Sequence, residues 1–233
     1  MSKTVLVVVA HPDDEILGCG GTMARHVKEY DNVFCLILGE GITSRGADDN
    51  KVIELKEQAR EAAKIIGSKV GFAQNFPDQM FDTIPLLKII KAIEVVRDEI
   101  KPDIVYTHHQ GDLNLDHQIT FKAVLTACRP LKGETVKEIY SFEVPSSTEW
   151  NAPQSQNYFM PNVFIDISDT LDKKIESLKV YKDEIRDFPH PRSAENLRAI
   201  ATRWGSIVGC QSAEAFVLIR KIIPEQGKMT CYT

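Results

Sequence analysis

Close to its N-terminus the chain runs through Thr4–Val9 (TVLVVV) with no polar side chain after the first. A strand with one wet face alternates apolar and polar residues, so an unbroken run has to be buried on both faces. Short apolar runs recur at 33–38, 104–107, 139–144 and 163–166, and helix-period segments lie between them at 15–29, 53–66, 84–100 and 118–127. Asp49 and Asn50 can cap the second of these helices, Gly67 stops it, and Lys101-Pro102 stops the third. Strand alternating with helix predicts an α/β fold, a mostly parallel sheet with helices on both faces. The last third reads differently. Residues 170–181 and 194–208 have helical spacing, Phe188-Pro189-His190-Pro191 separates them, and 146–161 is a long polar loop. No repeat, low-complexity stretch or linker interrupts the 233 residues, so a single domain over 1–233 is expected.

The first strand runs into AHPDDEILGCGG. Two adjacent carboxylates repel each other unless positive charge sits beside them, and open α/β sheets bind ligands at the carboxyl ends of their strands. The stretch therefore asks for a cation. Pro12 suits a first helical turn. With a helix beginning there, His11 and Asp14 share one side of the turn, and Asp13 points elsewhere, free to act on whatever the ion holds. A third ligand is expected from another strand end. The run after 104–107, HHQGDLNLDHQIT, offers His108, His109, Asp112, Asp116 and His117. Imidazole and carboxylate suit Zn²⁺, and three protein ligands leave a position for water. Such a water has its pKa lowered to about 7, and Asp13 is placed to take its proton. Gly18, Gly20 and Gly21 allow another segment to come close.

The AHPDDE segment, residues 10–15, resembles the hallmark of the LmbE-like / PIG-L family of zinc-dependent de-N-acetylases. LDH at 115–117 stands where that family has its second motif. AREAAKIIG at 59–67 and GCQSAEAF at 209–216 extend the likeness over most of the chain. The resemblance implies a Rossmann-like fold, zinc held by His11, Asp14 and His117, and Asp13 as general base. It further implies a homo-oligomer that removes an N-acyl group, usually acetyl, from an amino sugar or glycoconjugate. Family substrates include glucosaminyl-inositols, chitooligosaccharides, antibiotic glycosides and glycosides of malate. The chain departs from the pattern at Asn114, where many members carry a histidine that stabilises the oxyanion or protonates the leaving amine. An amide can donate a hydrogen bond to an oxyanion but cannot give up a proton near neutrality. Either Asp13 returns the proton, or His108, His109 or His190 supplies it. Arg45, in GEGITSRG, is a candidate to hold a phosphate or carboxylate of the substrate. His190 and Arg192 lie in a proline-bounded loop able to close over the site, and Glu214 matches a recurring family glutamate.

Other readings fit the residues less well. A dinucleotide module needs its glycines in the first turn after the strand, whereas Gly18 comes nine residues after Val9 and GxGxxG would require glycine at Met23. A non-haem Fe(II) enzyme also uses two histidines and a carboxylate, usually on an all-β scaffold. A non-catalytic zinc- or sugar-binding protein would lack the base, and Asp13 is present. A net charge of −5 with no basic block gives no nucleic-acid footprint. The apolar run at 5–9 is too short for a signal peptide or a membrane span. Cys19, Cys35, Cys128, Cys210 and Cys231 form no CxxC pair and read as buried fillers in a cytoplasmic protein.

Overall fold

The computed structural model describes residues 2–46, 49–155 and 157–223, so Cys231 lies outside the described residues. Among these, seven strands form one sheet: β1 (Thr4–Val9), β2 (Asn32–Gly39), β3 (Lys69–Phe76), β4 (Ile104–His108), β5 (Glu138–Phe142), β6 (Val163–Asp166) and β7 (Ala213–Lys221). Their order is β3-β2-β1-β4-β5-β7-β6. Strands β3, β2, β1, β4 and β5 are parallel, and β7 runs antiparallel to both its neighbours. The helices are α1 (Asp14–Lys28), α2 (Asp49–Ile66), α3 (Leu86–Ile100), α4 (Leu115–Ala127), α5 (Leu171–Leu178) and α6 (Ala194–Val208).

The unbroken apolar run of β1 has the expected cause. Val5, Val7 and Val9 pack into one core with residues of α1, α2 and α5, while Leu6, Val8 and Ala10 pack into a second with α3 and α4. From β1 the chain steps outward to β2 and β3, then crosses back through α3 to β4 on the other side of β1. The strand order reverses between β1 and β4, and the carboxyl ends of these two strands flank the crevice where such sheets bind ligands.

Two strands were not among those expected. β3 (KVGFAQNF) pairs on one side only, at the sheet edge, and so carries a weak apolar signal. β7 falls in the family-like stretch, and its second half is only partly buried. Helix starts also differ. α1 begins at Asp14, not near Pro12, and Asp13 sits before it with φ 95°, a conformation that costs a non-glycine residue about 1–3 kcal/mol. α4 begins at Leu115, ahead of the expected 118, because Asn114 Oδ1 caps it by accepting the Asp116 N–H at 2.9 Å. Asp49 and Asn50 lie inside the first turn of α2.

Helix α1 is broken at Cys19 (φ −145°, ψ 23°), between Gly18 and Gly20. Here the glycines admit other segments, as expected. A Cβ on Gly18 would overlap the Phe142 ring of β5, and one on Gly21 would lie 2.7 Å from Ile167 Cδ1. At the break, Glu214 of β7 accepts the N–H groups of Gly21 (3.0 Å) and Thr22 (2.7 Å). Lys174 of α5 donates to Leu17 O (2.8 Å) and to Glu214 Oε1 (2.6 Å). The family-like glutamate thus serves the backbone of the helix that starts at Asp14. Gly18→Ala is expected to lower unfolding stability by roughly 1–3 kcal/mol through overpacking against Phe142. A denaturant midpoint matching the parent's would refute this.

Candidate metal centre and active site

A cavity of about 290 Å³ opens at the reversal point, and its wall includes His11, Asp13, Asp14, Arg45, Asn114, His117, His190 and Arg192. Asp14 stands at its centre. Its Oδ2 accepts the His11 N–H at 2.9 Å and lies 3.5 Å from His11 Nδ1 and 3.3 Å from His117 Nε2. The far nitrogen of each imidazole faces another carboxylate. His11 Nε2 is 2.9 Å from Asp116 Oδ2 and 3.3 Å from Asp78 Oδ1, and His117 Nδ1 is 3.2 Å from Asp112 Oδ1. These carboxylates are themselves held. Asp116 accepts the N–H groups of Gln79 (2.8 Å) and Phe81 (3.0 Å). Asp112 accepts from Thr148 Oγ1 (2.6 Å), Asn114 N (2.8 Å) and Ser147 Oγ. Imidazoles backed by carboxylates in this way are the usual arrangement around a metal.

The donor set fits a divalent cation. One ligand atom each from His11, Asp14 and His117 lie within 4.8 Å of one another, and all three residues are buried. Among the described residues neither ring nitrogen of His117 makes a hydrogen bond of good geometry, although carboxylate oxygens lie 3.2 and 3.3 Å away, and an ion among the three would give Nε2 a directed partner. Two imidazoles and a carboxylate also leave an open coordination position. His11, Asp78 and Asp116 form a second close group, but the hydrogen bonds on Asp116 make it a support for the His11 ring.

The charges point the same way. Burial alone would lower His11, yet Asp116 and Asp14 raise it to about 9. Burial opposes His117 too, but Asp14 and Asp112 raise it to about 10. Burial would raise Asp14, and the charges of His117 and His108 with the His11 bond instead hold it well below the usual carboxylate range. With no ion bound, protons take the place of the positive charge the carboxylates demand.

Asp13 is buried on the cavity wall, and burial pushes its carboxyl well above the usual range against the pull of Arg192. Its Oδ2 accepts from Arg192 Nη1 at 2.8 Å, and its N–H donates to Glu15 Oε2 at 3.1 Å. Oδ1 has no hydrogen-bond partner among the described residues. Asn114 spends its carbonyl oxygen on the helix cap, which leaves Nδ2 as its free donor. Arg45 donates to Gly41 O (3.0 Å) and pairs with Glu184. His190 Nδ1 accepts the Arg192 N–H at 3.1 Å, so the neutral ring carries its proton on Nε2.

His108 and His109 stand outside the cavity wall. His108 Nε2 accepts the Ala10 N–H at 2.9 Å, its ring stacks on His117 at 3.9 Å, and burial lowers it to about 3. His109 Nε2 lies 3.3 Å from Asn157 O. Glu40, at the end of β2, accepts N–H groups from Ile42, Thr43 and Asp78 and is occupied by loop structure. Asp78 and Glu184 were not singled out from sequence. Asp78 had a signal: it follows β3 in FPDQ, at the same sheet edge as the other site residues, once that strand is recognised.

Known proteins resemble this chain in sequence and in fold. The sequence profile of PIG-L, GlcNAc-PI de-N-acetylase, matches residues 6–128. The chain is 31% identical over 186 residues to the uncharacterized deacetylase YaiS of Escherichia coli K12, covering 77% of this chain and 91% of YaiS. It is 25% identical over 230 residues to the diacetylchitobiose deacetylase of Thermococcus kodakarensis, covering 91% and 81%. Among solved structures, the conserved protein TT1542 of Thermus thermophilus superposes with a TM-score of 0.75 at 24% identity, over 97% of this chain and 99% of that one. The 4-carboxy-2-hydroxymuconate hydratase GalB of Pseudomonas putida KT2440 also reaches 0.75, at 22% identity over 96% and 98%. The fold therefore carries more than one chemistry, and assignment rests on the sequence match together with the residues at the reversal point. On both grounds, the chain belongs to the PIG-L (LmbE-like) family.

Proposed function

We propose that this chain is a zinc-dependent hydrolase that removes an N-acetyl group from an amino sugar or glycoconjugate. The observation that carries the reading is the buried His11–Asp14–His117 group, with Asp13 beside it on the cavity wall. When bound there, a divalent ion supplies Lewis acidity toward the amide oxygen and makes a water acidic enough to ionise near neutral pH. Asp13 Oδ1, free of other partners among the described residues, accepts the proton of the attacking water. The hydroxyl adds to the carbonyl carbon, and Asn114 Nδ2 donates a hydrogen bond to the oxyanion that develops. On collapse the C–N bond breaks, the nitrogen takes a proton from Asp13, and the amine and acetate leave. His190, with its proton on Nε2, is the second candidate to return that proton. Arg45 and His190 contact the remainder of the substrate at the rim.

The YaiS match supports deacetylation over the chemistry of the hydratase, and the diacetylchitobiose deacetylase match supports an N-acetyl sugar. The α/β sheet speaks against an Fe(II) oxygenase, and Asp13 on the wall against a non-catalytic binder. The free thiols of Cys19, Cys35, Cys128 and Cys210 support a cytoplasmic location, and among the described residues no helix is long and apolar enough to cross a membrane. The homo-oligomer remains part of the proposal, read by light scattering. The test of function is a screen of zinc-loaded protein against N-acetylated sugars and nucleotide sugars for released acetate. Hydration of an unsaturated acid without acetate release would refute it, as would oxygen consumption by an iron-loaded form.

Asn114 has two roles that one substitution separates. Aspartate caps a helix as well as asparagine but has no N–H to donate. Asn114→Asp is expected to keep the melting temperature near the parent's and to lower kcat by roughly 10²-fold, as for loss of one oxyanion donor. An unchanged kcat would confine Asn114 to capping.

A further inference from the structure

Four side chains of alternating sign run from the metal ligands to the rim of the cavity: Asp13, Arg192, Glu184 and Arg45. Arg192 Nη1 donates to Asp13 Oδ2 (2.8 Å) and to Glu184 Oε2 (3.1 Å), and its Nε donates to Ser146 Oγ (2.7 Å). Glu184 gives its other oxygen to Arg45. The Arg192 side chain is 20% exposed and those of Asp13 and Glu184 4% and 8%, so water contributes little to holding them. Separate connections supply the members: Asp13 follows β1, Arg45 follows β2, Ser146 follows β5, and Glu184 and Arg192 lie between α5 and α6.

Asp13 itself lacks local support. Its backbone is left-handed, and among the described residues Arg192 makes the one hydrogen bond its carboxylate receives. Without it, the short side chain is free to turn about its two torsions. A guanidinium offers a rigid fork of donors, and here that fork is fixed at three points. We propose that Arg192 is the positioning residue for Asp13, clamping Oδ2 so that Oδ1 faces the cavity, and that Glu184 holds Arg192 in that place. Lysine cannot reproduce this, because a single ammonium does not span Asp13, Glu184 and Ser146 with fixed geometry.

The proposal rests on the deacetylase reading for its readout, and the experiment is a double-mutant cycle on zinc-loaded protein with acetate release as the assay. Arg192→Met keeps much of the apolar stem. It is expected to retain zinc and to lower kcat by roughly 10–10²-fold, the cost of a misplaced reacting group, with KM within about twofold of the parent's. Arg192→Lys should fall between the two. In an Asp13→Asn background, Arg192→Met should change the residual rate by less than about twofold, because the group it acts through is gone. Equal losses in both backgrounds would make Arg192 a clasp for its loop and overturn the proposal. If Arg192→Met does not fold, Glu184→Gln carries the same cycle: a smaller kcat loss, abolished by Asp13→Asn, supports the chain, and a loss of equal size in both backgrounds overturns it. A zinc-loaded parent that releases no acetate overturns the deacetylase reading first and this role with it.

Discussion

His117→Ala is expected to purify without stoichiometric zinc and to hydrolyse its amide substrate no faster than background. His117 is the proposed ligand from the β4–α4 side, and without it His11 and Asp14 are left on a single turn after β1. Two donors from one turn do not enclose an ion. The same cluster gives the pH dependence a definite sign. With no metal bound, His11 titrates at about 9 and His117 at about 10, so both imidazoles are cationic at neutral pH. Each must lose its proton to bind metal, so zinc affinity rises with pH up to that range and binding releases up to two protons. The metal-free fold behaves in the opposite way. Both folded values lie above the unfolded histidine value near 6.5, so their contribution to stability is complete below 6.5 and is lost as pH rises through 9 and 10. Melting temperatures of loaded and metal-free protein should therefore diverge as pH increases. Metal analysis of the purified variant is the direct check, and a full zinc complement in His117→Ala would remove it from the ligand set.

Asp13→Asn is the second large effect. Asparagine keeps the volume and can still meet Arg192 through its carbonyl oxygen, but it cannot take a proton from water. Loss of a general base lowers turnover by about 10²–10⁴-fold, here with zinc content and the melting curve close to the parent's. The combination matters, because a fall in rate accompanied by loss of metal would report damage to Asp14 next door. Near-parental turnover in zinc-loaded Asp13→Asn would assign the proton transfer to another residue, with His190 the first to examine.

Much of this was legible in the sequence because β1 compresses it. An apolar run buried on both faces predicts the central strand, and the polar residues directly after it fall at the sheet's carboxyl edge. The candidate ligands therefore came out of two short stretches, and the structure brings His11, Asp14 and His117 together. What escaped depends on longer-range relations. β3 reads poorly because an edge strand needs less apolar cover, and with it went Asp78. Asp112 and Asp116 were visible as candidates, but whether a carboxylate meets a metal or the back of an imidazole depends on orientation that spacing does not carry. The helical pattern over 15–29 came within one residue of α1, but a first turn at Pro12 did not form, because Asp13 adopts a backbone conformation that propensity disfavours. Glu184 had no local signal, since one partner, Arg45, comes from another connection and the other, Arg192, lies eight residues on across an irregular loop.

The Lys174–Glu214 pair bears on how freely this family can drift. A buried ion pair elsewhere can often be exchanged for two apolar side chains of similar size with no loss of stability. Here each charged group also answers a main-chain group at the break in α1: the carboxylate takes the amides of Gly21 and Thr22, and the ammonium takes the carbonyl of Leu17. An apolar replacement would strand those three groups without water, so the two positions cannot wander independently or together into hydrocarbon. The route open to them is a compensating change in the helix itself, a straight segment in place of the broken one. That would draw the helix back over the space that Phe142 and Ile167 now fill, so divergence at residues 174 and 214 is tied to divergence at 18, 21, 142 and 167.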